Sequence, residues 1–246
     1  MDKLKDGGIL FFESHNLIND RERFDRICGI FLDAGMKILE RENYFSDFDR
    51  DIVVMKKNVW FYKMKVLILV PHQDDELILC GSFLKKLADE NDVYIVFSTN
   101  GDYEENVRFV RLEESLKTAD LYGIRQDRII FLGYANEYQL SGPHIYDAGA
   151  DEVVYSQYGN CYTYGLSNHP EYYYSKTGKH HLYTRKNFKD DLKNVLLDIL
   201  PDLIFVTDVE IHPDHKANSL FFDEVMGELL KEIDDFAPII LKKPGY

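Results

Sequence analysis

Two short stretches carry the side chains in this sequence that are best suited to catalysis. The first is Val70-Pro71-His72-Gln73-Asp74-Asp75-Glu76, and the second is His212-Pro213-Asp214-His215. Each places histidine beside carboxylates, and catalytic zinc takes three such protein ligands while keeping a position for water. Taken together, the two stretches predict a metal site for hydrolysis.

Three of these side chains form the predicted ligand set. His72 and Asp75 are separated by three positions across a predicted turn from strand to helix, so both can face one point. His215 supplies the third ligand from the end of another parallel strand. Two histidines and one carboxylate suit zinc, and they also suit Fe(II) and other divalent ions. We expect Zn²⁺, with another divalent metal as the alternative.

Other side chains of the two stretches are expected to move protons. The metal would lower the pKa of its water and polarise a carbonyl oxygen. Asp74, next to a ligand, is placed to act as the general base. His212 is placed to stabilise an oxyanion or to protonate the leaving amine. Asp214 is expected to orient His212 and to raise its pKa by opposite charge.

Each stretch alone also has a structural explanation. A histidine after a strand is more often a capping or core residue, and acidic residues at a helix start are favoured by the helix dipole. The catalytic interpretation rests on finding both stretches after predicted parallel strands. The remaining histidines lack that context and are expected at the surface: His15, His144, His169, His180 and His181.

The patterns around the two stretches predict an α/β fold. Strands are predicted at Val66–Val70, Asp92–Ser98, Arg128–Leu132, Leu203–Thr207 and Pro238–Leu241. Helices are predicted at about Glu76–Ala88, Glu104–Tyr122 and Lys186–Ile199, and from Asp214 or His215 onward. This alternation predicts a mostly parallel sheet flanked by helices. Such sheets bind ligands at the carboxyl ends of their strands, where both stretches lie.

Residues 1–57 are expected to form a short N-terminal α/β appendage to a domain at 63–246. A strand after Gly7-Gly8, a helix over about Arg21–Leu32, and strands at Lys37–Leu39 and Asp51–Met55 follow one another. This order resembles the last part of a class I methyltransferase domain, but the glycine-rich nucleotide loop of such a domain is absent. We therefore expect a structural remnant without methyl-transfer activity.

Residues 133–185 lose helical periodicity and are rich in tyrosine. A long irregular segment in a compact domain is usually functional or disordered, and aromatic content argues against disorder. Tyrosine rings stack on sugar faces while their hydroxyls form hydrogen bonds. The segment is either a lid that contacts carbohydrate or an insertion whose tyrosines pack together, and the sequence leaves both open.

Charge and composition exclude several classes of partner. The net charge of −14 and the pI near 5.0 argue against nucleic acid and against anionic membrane surfaces. The N-terminus lacks a signal-peptide pattern, and no apolar run approaches the roughly 18 residues of a membrane span. The three cysteines, Cys28, Cys80 and Cys161, have no paired spacing. We expect reduced thiols in a cytoplasmic protein.

The first stretch resembles the Pro-His-Pro-Asp-Asp-Glu signature of the GlcNAc-phosphatidylinositol de-N-acetylase (PIG-L/LmbE-like) family. Residues 211–215 resemble its second signature, and Asn100-Gly101-Asp102, Arg111–Glu114 and Phe131–Tyr134 fit the pattern between them. The resemblance covers about residues 63–246 and lacks the family's C-terminal part. Gln73 stands where the family usually has proline, which we expect to loosen the turn slightly and leave the ligands intact.

The resemblance implies a Rossmann-like fold and zinc-dependent removal of N-acetyl from an N-acetylglucosamine-type amino sugar. By the family pattern, His72, Asp75 and His215 bind the metal, Asp74 is the base and His212 is the acid. These roles agree with those expected from spacing and chemistry.

Two questions about the substrate stay open in the sequence. Arg111 and Arg185 are candidates for binding its anionic groups, although a helix ion pair with Glu113 or Glu114 explains Arg111 equally well. The alternative to an enzyme is a degenerate or truncated, non-catalytic glycan-binding protein of the same fold. The sugar, the aglycone and the oligomeric state are not specified by any of these patterns.

Overall fold

A computed structural model divides the chain into two compact units, Met1–Tyr62 and Lys63–Tyr246. In the first unit it describes the backbone of strands 9–13, 36–45 and 50–57. In the second it describes residues 63–104, 107–136 and 144–245. Both candidate metal-binding stretches lie within the second unit.

The first unit contains a three-stranded antiparallel sheet in the order β1-β3-β2. Its strands are β1 (Ile9–Glu13), β2 (Met36–Phe45) and β3 (Arg50–Lys57). The predicted strands are confirmed and are longer than expected, because β3 pairs on both sides and its ladder extends into the charged flanks. The predicted helix over Arg21–Leu32 lies outside the described residues. The methyltransferase-like interpretation of this unit stays a prediction.

The second unit is built on a five-stranded parallel sheet in the order β6-β5-β4-β7-β8. Its strands are β4 (Lys65–Val70), β5 (Asp92–Thr99), β6 (Ile129–Tyr134), β7 (Leu203–Thr207) and β8 (Ile239–Lys243). The central strand β4 is buried from Val66 to Val70, as a strand covered on both faces should be. The predicted α/β fold with a mostly parallel sheet is confirmed.

Helices connect these strands and cover the sheet. They are α1 (Asp75–Cys80), α2 (Leu84–Glu90), α3 (Arg108–Tyr122), α4 (Tyr172–Thr177), α5 (Arg185–Ile199) and α6 (Pro213–Glu232). The single helix predicted over Glu76–Ala88 is wrong, since α1 and α2 replace it. The break covers residues 81–83 and begins with Gly81 and Ser82, two weak helix formers. Among the described helices, none is long and apolar enough to cross a bilayer.

Apolar side chains form one layer on each face of the sheet. Successive residues of a strand point to opposite faces, so Leu67 and Leu69 belong to one layer while Ile68 and Val70 belong to the other. On the first face α5 and α6 pack together through stacked aromatic rings 4.3 Å apart, those of Phe188 and Phe221. The two layers fix the carboxyl ends of β4 and β7, and the two stretches follow these ends in the chain.

Candidate metal centre

The two stretches meet at one edge of the parallel sheet. His72 and Asp75 follow β4, and His215 lies in the first turn of α6, just after β7. Strands β4 and β7 pair in parallel from Val66 and Leu203 onward, so their carboxyl ends point the same way. This pairing brings His72 and His215 into contact although they are 143 positions apart in the chain.

Three potential ligand atoms converge at this edge. Oδ2 of Asp75 lies 3.1 Å from Nδ1 of His72 and 3.2 Å from Nε2 of His215. The two ring nitrogens lie 3.3 Å apart. Tetrahedral zinc with bonds of about 2.0–2.1 Å separates neighbouring ligand atoms by about 3.3 Å. The three atoms therefore have the spacing of one face of a zinc site.

Carboxylates face the opposite nitrogen of both histidines. Nε2 of His72 lies 2.7 Å from Oδ2 of Asp214, and Nδ1 of His215 forms an ion pair with Oε1 of Glu210. A carboxylate at one ring nitrogen fixes the proton there and selects the tautomer. The nitrogens that face Asp75 then present lone pairs. Three acceptors around one point require a cation between them.

The pKa values of the cluster reflect this need for positive charge. Burial alone would lower the pKa of His72, but hydrogen bonds to Asp214 and Asp75 outweigh it and raise this pKa to about 9. Burial would raise the pKa of Asp75, but hydrogen bonds to His215 and His72 hold it well below its usual range. Both shifts show that the buried carboxylates favour a positive charge at this point.

His212 is the third histidine of the cluster. Nitrogens of His72, His212 and His215 lie within 4.8 Å of one another, a second grouping that fits a metal ion. Nδ1 of His212 accepts a hydrogen bond of 3.3 Å from the backbone N–H of Asp214 and caps α6. That bond leaves the ring proton of neutral His212 on Nε2, where it can be donated.

The structure changes the partner predicted for Asp214. Its Oδ2 lies 3.9 Å from Nδ1 of His212 but 2.7 Å from Nε2 of His72. Burial lowers the pKa of His212, and the opposing effect of the Asp214 charge does not reverse that shift. The expected rise is therefore corrected: Nδ1 of His212 is occupied by a backbone N–H, and the Asp214 side chain orients His72 instead.

Asp74 and Arg111 form a pair at the rim of the cluster. Nη2 of Arg111 donates to Oδ1 of Asp74 at 3.2 Å and to the backbone oxygen of Gln73 at 3.3 Å. The Asp74 side chain is 55% exposed, so solvent and substrate can reach it. The amide of Gln73 donates to the backbone oxygen of Thr99 at 2.7 Å. This bond ties the turn to β5 and offsets the loosening expected without proline.

Arg185 joins helices instead of entering the cluster. Its Nη2 lies 2.5 Å from Oε1 of Glu224 in α6, and its Nε donates to the backbone oxygen of Tyr146 at 2.9 Å. Its guanidinium also lies over the rings of Tyr146 and Phe221. These contacts give Arg185 a structural role, and its role in substrate binding stays a prediction.

Glu210 is the cluster residue that sequence reasoning missed. It lies between β7 and His212 and outside both motifs. Its position shortly after the end of β7 was the available signal in the sequence. Residues at the carboxyl end of a parallel strand lie near the binding site of such a sheet.

An open pocket of about 480 Å³ lies beside α3. Arg108 and Phe109 of α3 line it together with residues 159–164 and His180. The Arg108 guanidinium lies 4.8 Å from the centre of the Phe109 ring. In the tyrosine-rich segment, Tyr162 is 55% exposed at this pocket, whereas Tyr183 is buried. The lid that contacts carbohydrate stays a prediction.

Comparison with known proteins identifies the family of the chain. The profile of GlcNAc-PI de-N-acetylase matches residues 67–226, more than half of the chain. Comparison with curated proteins gives no significant match.

Three solved structures are similar to the chain at low identity. N,N'-diacetylchitobiose deacetylase from Pyrococcus horikoshii is 21% identical, with a TM-score of 0.42, over 85% of this chain and 59% of that chain. The conserved protein TT1542 from Thermus thermophilus is 16% identical, with a TM-score of 0.44, over 74% of this chain and 66% of that chain. A deacetylase of teicoplanin biosynthesis is 14% identical, with a TM-score of 0.43, over 69% and 67%. The chain thus spans about three fifths of the length of the first of these proteins.

Proposed function

The chain belongs to the GlcNAc-PI de-N-acetylase family, and from that premise we propose that it is a zinc-dependent hydrolase that removes N-acetyl from an amino sugar. One observation carries the proposal. Asp75, His72 and His215 converge at 3.1–3.3 Å, and a carboxylate faces the other nitrogen of each ring. Ligating histidines usually have such a carboxylate partner.

The residues present fit zinc in both chemistry and spacing. His72, His215 and Asp75 would hold the ion, as two imidazoles and one carboxylate do in known catalytic zinc sites. When bound, the metal would polarise the carbonyl of the amide and lower the pKa of a coordinated water. The burial of all three side chains keeps bulk water from competing with the ligands.

Asp74 is the proposed general base. Its carboxylate is exposed, directly precedes a ligand, and is oriented by the hydrogen bond from Arg111. A base must lie within hydrogen-bond reach of the proton that it accepts. From the rim of the cluster, Asp74 would accept the proton that leaves the reacting water.

His212 is the proposed acid and oxyanion donor. Because burial lowers its pKa, its ring is neutral near pH 7 and carries its proton on Nε2. A neutral ring in that tautomer can donate a hydrogen bond to a developing oxyanion. As the acid, His212 would release Nδ1 from the Asp214 N–H, take up there a proton relayed from Asp74, and pass its Nε2 proton to the leaving amine.

The proposed substrate is an N-acetylglucosamine-type residue carried on a larger molecule. Arg108 and Arg111 are about one helical turn apart on α3. Arg108 lines the pocket and Arg111 contacts Asp74, so one helix borders both the pocket and the rim of the cluster. The exposed rings of Phe109 and Tyr162 offer faces on which sugars stack. The tyrosine-rich segment would then contact the remainder of the glycan.

Acetate release tests this proposal. The zinc-loaded chain is incubated with N-acetylglucosamine, its glycosides and N,N'-diacetylchitobiose, and acetate is measured enzymatically. We expect release from at least one of these sugars and its loss in Asp74→Asn, with zinc retained. Asp89→Asn is the matched control, because Asp89 is as exposed as Asp74 and pairs only with Lys85 among the contacts described. Sugar binding without acetate release would contradict the proposal and support a non-catalytic glycan-binding protein.

A further inference from the structure

Glu210 supports His215 from the side opposite the proposed metal. The His215 side chain is fully buried, the Glu210 side chain is 11% exposed, and Oε1 of Glu210 forms an ion pair with Nδ1 of His215. A carboxylate in this position keeps the ring proton on Nδ1 and leaves the Nε2 lone pair toward Asp75. Glu210 itself is separated from the converging atoms by the imidazole ring.

The segment after β8 holds the same carboxylate in place. The backbone N–H of Gly245 donates to Oε1 of Glu210 at 3.1 Å. Just before it, the backbone oxygen of Lys243 accepts a hydrogen bond of 3.0 Å from the N–H of Asp208. Strand β8 pairs with β7 up to Thr207. The loop that carries Glu210 is therefore hydrogen-bonded both to the last residue of β8 and to the segment after it.

Gly245 fits here because it has no side chain. A Cβ at this position would lie 2.9 Å from Cε1 of His215 and 3.0 Å from Oε1 of Glu210. Carbon atoms in favourable contact are about 3.5–4.0 Å apart. Any larger residue would displace the imidazole ring, the carboxylate or the backbone of this segment.

We propose that Glu210 is a positioning residue for metal binding, and that the backbone N–H of Gly245 holds the Glu210 carboxylate in position. The proposal rests on the metal site proposed above and adds a dependence on β8 and the residues that follow it. The two histidines are then supported in parallel, His72 by Asp214 and His215 by Glu210. Zinc affinity should respond to a change at Gly245 even though Gly245 offers no ligand.

The test measures zinc affinity by competition with a chromophoric chelator, in the wild type, Glu210→Gln and Gly245→Ala. Removing a carboxylate behind a ligating histidine typically weakens metal binding by about 10- to 100-fold, and we expect a loss in this range for Glu210→Gln. Gly245→Ala should weaken binding in the same direction. Glu232→Gln is the matched control, because Glu232 pairs with Lys193 on the surface of α6.

A second measurement separates positioning from general support of the fold. Long-range ¹H–¹⁵N spectra of the zinc-loaded wild type should show His215 bound through Nε2 with its proton on Nδ1. Zinc affinities of both variants within twofold of the wild type would overturn the inference and leave the metal site intact. A wild type that binds no zinc would overturn the proposed function as well. Variants that lose zinc-free thermal stability but keep the wild-type affinity would show a structural role and also refute the inference.

Discussion

Replacing Asp214 tests how the first histidine of the cluster is held. Its Oδ2 lies 2.7 Å from Nε2 of His72, and both side chains are buried. In Asp214→Asn the amide oxygen still accepts the hydrogen bond, but the negative charge is gone. Hydrogen bonds to charged groups contribute about 1.5–3 kcal/mol and neutral ones about 0.5–1.5. The difference of about 1–1.5 kcal/mol corresponds to a zinc affinity about 5- to 13-fold weaker.

Asp214→Ala should weaken zinc binding more than Asp214→Asn does, because it removes the partner of Nε2 of His72. The expected weakening is about 100-fold, the upper part of the range for such support. The assay is competition for zinc with a chromophoric chelator at fixed pH and ionic strength. Asp223→Asn is the control, since Asp223 lies on the same helix and pairs with Lys242 at the surface. Both Asp214 variants binding zinc within twofold of the wild type would refute the reasoning.

Three further predictions follow from the core and the turn. Phe188→Ala should lower the free energy of unfolding by about 3–5 kcal/mol in urea titrations, because the ring is buried and stacks on Phe221. A loss under about 1 kcal/mol would contradict this packing. Gln73→Ala removes the hydrogen bond to the Thr99 oxygen and should lower the free energy of unfolding by about 1 kcal/mol in the same titration. A change in zinc affinity would show that the turn also positions the metal ligands. Burial raises the pKa of Asp191 to about 6, despite opposing hydrogen bonds. This exceeds the unfolded value of about 3.9, so the native state keeps the proton to a higher pH than the unfolded chain does. The free energy of unfolding therefore falls as pH rises through about 6. Against Asp191→Asn, the wild type should lose about 1–3 kcal/mol between pH of about 4 and 7, and a constant difference would argue against the raised pKa.

The backbone positions of the site could be predicted because the apolar pattern is strong. The run ending at Val70 and the strand ending at Thr207 are buried parallel strands, and their carboxyl ends must share one edge of the sheet. That is enough to bring the two stretches together. The interruption at Gly81-Ser82 was not predictable, because weak helix formers are often tolerated inside a helix when tertiary packing favours it.

The partners of individual side chains could not be read from the sequence. The sequence predicts that Asp214 orients His212, but its carboxylate reaches across to His72 at the end of β4. Glu210 and Gly245 meet only because β8 pairs beside β7. Both contacts depend on tertiary geometry that local spacing does not encode.

The most direct test of the metal site is elemental analysis of the purified chain and of His215→Ala. His169→Ala is the matched control, because Nε2 of His169 bonds the backbone oxygen of Ile129, away from the cluster. The metal centre predicts about one zinc per wild-type chain, the same content in the control, and its loss in His215→Ala. A wild type without metal, or a His215→Ala variant that keeps its zinc, would contradict the convergence of the two stretches on one ion.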